Sequence, residues 1–83
     1  MNLYDFAVKC YNESLMTDVY RIPGTKLELV DTKRFMELKN LDSEGMEGYD
    51  PETRYIMDDG QGGIPVSNAD ELYVQLRYRG IRL

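Results

Sequence analysis

Residues 19–30 read VYRIPGTKLELV, and this stretch decides the fold because it joins two apolar runs through a proline–glycine turn. Proline followed by glycine suits the central positions of a type II turn, whose second position needs a positive φ. Leu27 and Leu29 alternate with charged residues, as expected for a strand with one buried face. The sequence therefore predicts a β-hairpin over residues 18–31.

Amphipathic helices are predicted on both sides of this hairpin, over residues 2–15 and 67–79. The first has apolar residues at helical spacing and begins at Asn2, a favourable N-cap. The second begins with a Ser–Asn pair whose members each stand three residues before an acid, as in a capping box, and Gly80 follows its end. The side chains expected to face the core from this second helix are Leu72, Tyr73, Val74 and Leu76.

The remaining stretches are shorter. Residues 32–40 fit either a short helix capped by Thr32 or a strand, and we favour the helix because it offers an opposite-charge pair four residues apart. A glycine-rich turn joins two strands predicted at 53–58 and 64–66. Pro65 cannot donate a ladder hydrogen bond, so the second of these strands is expected at an edge of the sheet.

The order of these elements predicts an α+β fold. We expect a small antiparallel β-sheet of about four short strands, with an N-terminal and a C-terminal helix packed on one face. The chain has 83 residues, of which 42% are hydrophobic. This is enough for one modest core, so residues 1–83 are expected to form a single domain.

The charge distribution singles out the middle of the chain. The net charge is −5, but residues 40–71 alone carry nine acids and one base, Arg54, while residues 72–83 carry three arginines and no acid. An acidic centre disfavours direct nucleic-acid binding, since that affinity comes mainly from lysine and arginine. Such a centre attracts a basic partner, unless it serves only as a solvated stretch that keeps the protein soluble.

The sequence argues against several kinds of chemistry. There is no histidine, and a single cysteine, Cys10, leaves no internal disulfide and too few ligands for structural zinc, so we expect Cys10 to be a small core residue. Residues 58–63, DDGQGG, lack the lysine of a phosphate-binding loop, and the stretch starting at Asp42 lacks the glycine of an EF-hand. We therefore expect no cofactor, no metal and no enzymatic activity. An enzyme would need a deep pocket, for which the available residues are Arg54, Asp58 and Asp59.

The acidic stretch and the tyrosines within it indicate a protein-binding surface, because carboxylates complement a basic partner and tyrosine is enriched in interface cores. The predicted partner-binding residues are Asp42, Glu44, Glu47, Tyr49, Asp50, Glu52, Tyr55, Asp58 and Asp59. We expect a non-catalytic inhibitor that occupies a basic, nucleic-acid-binding surface of another protein. In general character, though not in sequence motifs, it resembles phage counter-defence inhibitors such as the anti-CRISPR proteins.

A second hypothesis is a structural or regulatory interaction protein, for example a homodimer, an immunity protein or an antitoxin. Such a protein would bind through an apolar helix face or through the sheet edge expected at Pro65. The N-terminus shows no signal-peptide pattern, and no apolar run reaches the length of a membrane span. We therefore expect a cytoplasmic protein without membrane contact.

Overall fold

The computed structural model describes residues 1–40, 50–59 and 61–83. Within these ranges the chain forms three helices and a four-stranded antiparallel sheet, so the predicted α+β fold is confirmed. In chain order the elements are α1 (Leu3–Ser14), β1 (Val19–Arg21), β2 (Leu27–Asp31), α2 (Thr32–Leu38), β3 (Arg54–Asp58), β4 (Gln61–Val66) and α3 (Ala69–Tyr78).

The hairpin of β1 and β2 forms where the sequence predicts it. The Thr25 amide donates to the Ile22 carbonyl at 3.1 Å across the turn, and Gly24 has a φ of 77°. Both features fit a type II turn, in which glycine adopts the positive φ without a steric cost.

The sheet is a meander in which sequence neighbours pair, in the order β1-β2-β3-β4. Side chains alternate between the two faces, and paired residues on adjacent strands share a face. Leu29 pairs with Ile56, and both are fully buried on the face that α1 and α3 cover. The main core between this face and the two helices consists of Ala7, Cys10, Tyr11, Ile22, Leu27, Leu29, Ile56, Val66, Leu72 and Leu76.

Both helices of this layer begin at asparagine caps, which are Asn2, as predicted, and Asn68, one of the two candidates at the start of α3. Asn2 Oδ1 accepts from the Asp5 amide at 2.8 Å, and Asn68 Oδ1 accepts from the Glu71 amide at 2.9 Å. At the end of α3, Gly80 has a φ of 74°, and the amides beyond the helix return to carbonyls of its last turn. This is the Schellman arrangement expected of a glycine just beyond a helix.

Helix α2 lies on the opposite face of the sheet. Tyr55 and Ile56 are consecutive in β3, so Tyr55 points away from the main core. The Phe35 ring of α2 stacks on the Tyr55 ring with centroids 4.0 Å apart. This second, thinner apolar layer also contains three buried side chains, Val30, Met36 and Met57.

The helical interpretation of residues 32–40 is confirmed, but its predicted cap is wrong. The N-cap is Asp31, whose carboxylate accepts from the Arg34 amide at 2.6 Å. Asp31 still has the extended backbone that a cap requires, whereas Thr32 is already the first helical residue.

Strand β4 forms an edge of the sheet, as Pro65 predicts, but it is longer than the three residues expected. Most of the glycine-rich stretch predicted as a turn belongs to this strand. The pairing shifts by one residue after Ile56, and the irregularity accommodates Gly63 at a φ of 138°. A side chain at Gly63 would overlap the Phe35 ring, so the close packing of α2 on the sheet requires glycine there.

One residue of α3 assigned to the core is not in it. Val74 is 58% exposed, whereas Leu72 and Leu76 are fully buried. Successive helical residues are about 100° apart around the axis, so Val74 points away from the two leucines that flank it. No helix in the described ranges combines the length and the apolar character needed to cross a membrane.

Candidate protein-binding site

The predicted binding residues fall at opposite ends of strand β3. Asp50 and Glu52 lie just before the strand, whereas Asp58 ends it and Asp59 follows in the turn. A strand rises by about 3.3 Å per residue, so the two pairs are roughly 20 Å apart. The predicted residues that lie outside the described ranges are Asp42, Glu44, Glu47 and Tyr49.

A tyrosine of α1 joins the first pair to the start of α3. The Tyr11 hydroxyl donates between two carbonyl oxygens, at 2.5 Å from that of Glu52 and 3.0 Å from that of Ser67. The Ser67 amide donates to Glu71 Oε1 at 2.8 Å, and the Glu52 amide donates to Asp50 Oδ1 at 2.9 Å. Two distant segments that carry carboxylates thus lie next to each other in one place. We call this place the acidic end, and it consists of Asp50, Glu52, Asp70 and Glu71.

Asp70 is held by a second tyrosine of α1. The Tyr4 hydroxyl donates to Asp70 Oδ1 at 2.8 Å, and the Tyr4 ring packs edge-to-face on Tyr73 with centroids 5.5 Å apart. The hydrogen bond to the carboxylate, and the negative charge itself, raise the pKa of Tyr4 because both favour the neutral phenol. The position of Asp70 is therefore fixed by a contact between the two helices of the main layer.

The one base of the acidic stretch is buried beneath this end. Arg54 is only 5% exposed, and its guanidinium donates to the carbonyls of Ser14 at 3.3 Å, Pro51 at 2.8 Å and Thr53 at 3.0 Å. Ser14 is the last residue of α1, where the helix macrodipole is negative and a cation is stabilising. Arg54 therefore binds the backbone next to Glu52 to the end of α1.

The pKa of Tyr11 reflects the charge that collects here. Burial raises this pKa, the carboxylates of Glu52, Asp50 and Glu71 also raise it, and the guanidinium of Arg54 lowers it. Burial and the nearby anions both disfavour a charged phenolate. Tyr11 thus remains a hydrogen-bond donor at neutral pH and keeps the two segments of the acidic end together.

The other end of β3 has mixed charge. Asp58 lines an open cleft of about 400 Å³ together with two cations, Lys26 and Arg79. Asp59 has a φ of 52°, in the left-handed region that aspartate tolerates better than most residues. We call this region the turn end, and it consists of Lys26, Asp58, Asp59 and Arg79. Because its charges are of both signs, it attracts a basic partner less than the acidic end does.

Tyr55, predicted as an apolar anchor, is placed away from the acidic end. Its half-buried ring lies on the α2 face of the sheet, stacked on Phe35. One side of the ring is therefore covered from within the chain.

Three further sets of residues bear on the chemistry considered from the sequence. No three acidic, cysteine or histidine side chains among them are grouped closely enough to hold a metal ion. Arg54 stands at the start of β3 and Asp58 at its end, so these two residues and Asp59 do not form one pocket. Cys10 is fully buried, as predicted, and burial raises the pKa of its thiol, which disfavours the reactive thiolate.

The binding residues predicted from the sequence do not include Tyr11, Asp70 and Glu71, which help to form the acidic end. Asp70 and Glu71 belong to the acid-rich part of the sequence, but there they read only as the first turn of a helix. Tyr11 reads as one of several apolar residues of α1. Its contact with Glu52 spans 41 positions in the chain, and no local pattern signals such a contact.

Comparison with known proteins does not identify a relative, since no family model, no curated protein and no solved structure matches this chain.

Proposed function

We propose that this chain is a non-catalytic protein-binding module, which inhibits its partner by occupying a basic surface that otherwise holds nucleic acid. The observation that carries the proposal is the acidic end. Two segments that are distant in sequence bring four carboxylates to one surface. The one base of residues 40–71, Arg54, is buried and hydrogen-bonded to carbonyls. A concentrated negative surface accelerates association with a basic partner and selects against acidic ones.

The rigidity of the acidic end supports a binding role. Glu71 and Asp50 each accept a backbone amide, Asp70 accepts the Tyr4 hydroxyl, and Arg54 fixes the backbone before β3. Side chains that are already ordered lose less conformational entropy on binding.

The setting that we propose is the cytoplasm, where enzymes with basic nucleic-acid grooves are found. A phage inhibitor of host defence, of the anti-CRISPR kind, would use such a surface. An antitoxin or immunity protein whose target binds nucleic acid would use the same surface, and the identity of the captured partner distinguishes these cases.

The test removes the charge of the acidic end without changing its shape. The variant Asp50→Asn, Glu52→Gln, Asp70→Asn, Glu71→Gln keeps every acceptor oxygen that the structure uses. Wild type and variant are used to capture proteins from source-cell lysate at about 50 mM and about 500 mM salt, where the Debye length differs several-fold. We expect the wild type to retain a basic nucleic-acid-binding protein at low salt, and the variant and the high-salt sample to lose it.

The matched control removes the same charge elsewhere. Asp18→Asn, Glu37→Gln, Asp58→Asn and Asp59→Asn together change four exposed acids outside the acidic end. This variant should capture the partner as the wild type does, and the purified partner should lose its nucleic acid when the wild-type chain is added. Equal loss of capture in both variants would show that only the net charge matters, and capture unaffected by either would refute the proposal.

An apolar interface is the second candidate function. Val74 and Tyr78 are 58% and 85% exposed and lie one turn apart on α3, and Val74 lies beside Pro65 of the edge strand β4. A structural or regulatory partner, or a second copy of the chain, could cover them. Such binding should be nearly independent of salt, and sedimentation should show a dimer if the partner is a second copy.

A further inference from the structure

Three clefts formed by the described residues differ in charge. The first, of about 460 Å³ between β1 and α2, contains both acids and bases, and so does the cleft at the turn end. The third is a groove between α3 and β4, lined by Pro65, Asp70, Glu71, Val74 and Gln75. Of these three, the groove alone has acids and no base. It also adjoins the acidic end, because Asp70 and Glu71 belong to both.

The groove combines an apolar floor with an anionic side. Val74 is 58% exposed, and Pro65 beside it is exposed as well. Asp70 and Glu71 each use one carboxylate oxygen within the fold, for the Tyr4 hydroxyl and for a backbone amide. The second oxygen of each carboxylate is a further acceptor. Together these groups complement a side chain that has an apolar stem and a cationic head.

Arginine and lysine side chains have this composition, since they lay their methylene groups along apolar surface while the charged head stays hydrated or paired. The groove volume of about 280 Å³ lies at the lower limit of small-molecule pockets, which start at about 300 Å³. The size therefore suits one or two side chains of a protein better than a cofactor.

The edge of β4 disfavours the other common mode of peptide binding. An added strand needs a continuous row of edge donors and acceptors. Pro65 has no N–H to donate, and the pairing irregularity that follows Ile56 disturbs the regular spacing of the strand. A partner at this position is therefore held through its side chains.

We propose that the α3–β4 groove binds an arginine or lysine side chain of the basic partner, with the stem of the side chain on Val74 and Pro65 and the head at Asp70 and Glu71. This inference rests on the proposed function and identifies the part of the surface that recognises the partner. It assigns the apolar contact to Val74, a residue outside the acid-rich stretch.

The test selects a displayed library of random dodecapeptides against the full chain and measures the affinity of the enriched peptides by fluorescence anisotropy. We expect enrichment of peptides that carry arginine or lysine next to an apolar residue. Val74→Lys should weaken their binding about tenfold, because it removes the apolar floor and adds a like charge. This variant keeps the helix, since Asp70 stands four residues before it.

The matched control is Leu38→Lys, which adds the same charge at an exposed apolar position of α2 and outside the groove. It should leave affinity within about twofold of the wild type. Equal weakening by both variants, or no weakening by Val74→Lys, overturns the inference.

The remaining outcomes separate the groove from the acidic end. In one outcome, basic peptides bind Val74→Lys as they bind the wild type but fail to bind Asp50→Asn, Glu52→Gln. That result overturns the inference about the groove and leaves the proposed function standing. Enriched peptides without basic residues overturn both. A dimer of the free chain that Val74→Lys converts to a monomer also overturns the inference, because the groove is then covered by a second copy.

Discussion

The two ends of β3 carry the same kind of residue for different reasons. At the acidic end, the carboxylates come from separate segments that Tyr11 and the buried Arg54 hold together. At the turn end, Asp58 shares a cleft with two cations, and Asp59 occupies a left-handed backbone position. Acids that are close in sequence therefore do not necessarily form one charged surface in the folded protein. Tertiary contacts decide which acids act together and which serve a turn.

The largest expected difference between the two ends concerns their arginines. Arg54→Met should lower the free energy of unfolding by about 3 kcal/mol, because three carbonyls lose hydrogen bonds from a buried charged group. Arg79→Met at the turn end should cost less than about 0.5 kcal/mol, since the side chain is exposed. Urea unfolding measures both values, and equal losses would show that Arg54 is not a structural clamp.

A smaller effect is expected from the hydroxyl of Tyr11. Tyr11→Phe should cost about 1.5 kcal/mol, because two carbonyl oxygens lose their shared donor. Hydrogen exchange should become faster at residues 52–54, which the hydroxyl holds against α1. The control is Tyr78→Phe, whose exposed hydroxyl should matter little. If exchange is unchanged in Tyr11→Phe, the acidic end is held by Arg54 alone.

At the turn end, backbone conformation should matter more than charge. Asp59→Val should cost about 1 kcal/mol, because a β-branched residue is strained at a φ of 52°. Asp59→Asn removes the charge but tolerates this backbone, so its thermal unfolding should resemble that of the wild type. Equal costs for valine and asparagine would mean that the carboxylate itself is required.

The repulsion between carboxylates should appear as a difference of a few tenths of a kcal/mol. Asp50→Asn with Glu52→Gln should stabilise the protein slightly at low salt, since it relieves like charges and leaves the acids in the first turn of α3 in place. Asp58→Asn with Asp59→Asn should not, because Lys26 and Arg79 then lose their counter-charges. Both differences should shrink as salt is raised in chemical unfolding experiments. A gain that persists in high salt would have another origin.

The last expected effect is absent at neutral pH. The pKa of Tyr11 is raised in the folded state by burial and by Glu52, so the folded chain holds this proton more tightly than the unfolded chain does. The resulting stability is complete below about pH 10, the ordinary tyrosine range, and is lost as the pH rises further. Unfolding titrations should show a steeper alkaline loss for the wild type than for Tyr11→Phe. Parallel curves would contradict this assignment.

The features predicted correctly from the sequence are those that depend on near neighbours. The caps at Asn2 and Asn68 involve an amide three residues away, and the turn at Gly24 needs only a proline before it. Even locally, two candidates can compete. Asp31 rather than Thr32 caps α2, because the chain leaves the extended conformation one residue earlier than the pattern suggests.

The candidate site was predictable only in part, because half of it depends on distant contacts. Asp50 and Glu52 are recognisable as acids in a polar stretch. They come next to Asp70 and Glu71 only because α1 packs against α3 and because Tyr11 bonds to both segments. Neither contact produces a periodic pattern in the sequence. Val74 is wrongly assigned to the core for a local reason, since it lies about 200° around the helix axis from Leu72 and points away from it.

The contact between Tyr4 and Asp70 joins residues 66 positions apart, and it has a consequence for how the chain is made. The meander sheet closes only through neighbouring segments, so it can form early, whereas α1 is not fully covered until α3 has been synthesised. Translation proceeds at about 5–20 residues per second, so the first helix waits some seconds for its partner. Asp70 and Glu71 come next to the other carboxylates only when α3 docks on α1. The nascent chain therefore completes its core and gains its acidic surface in the same step.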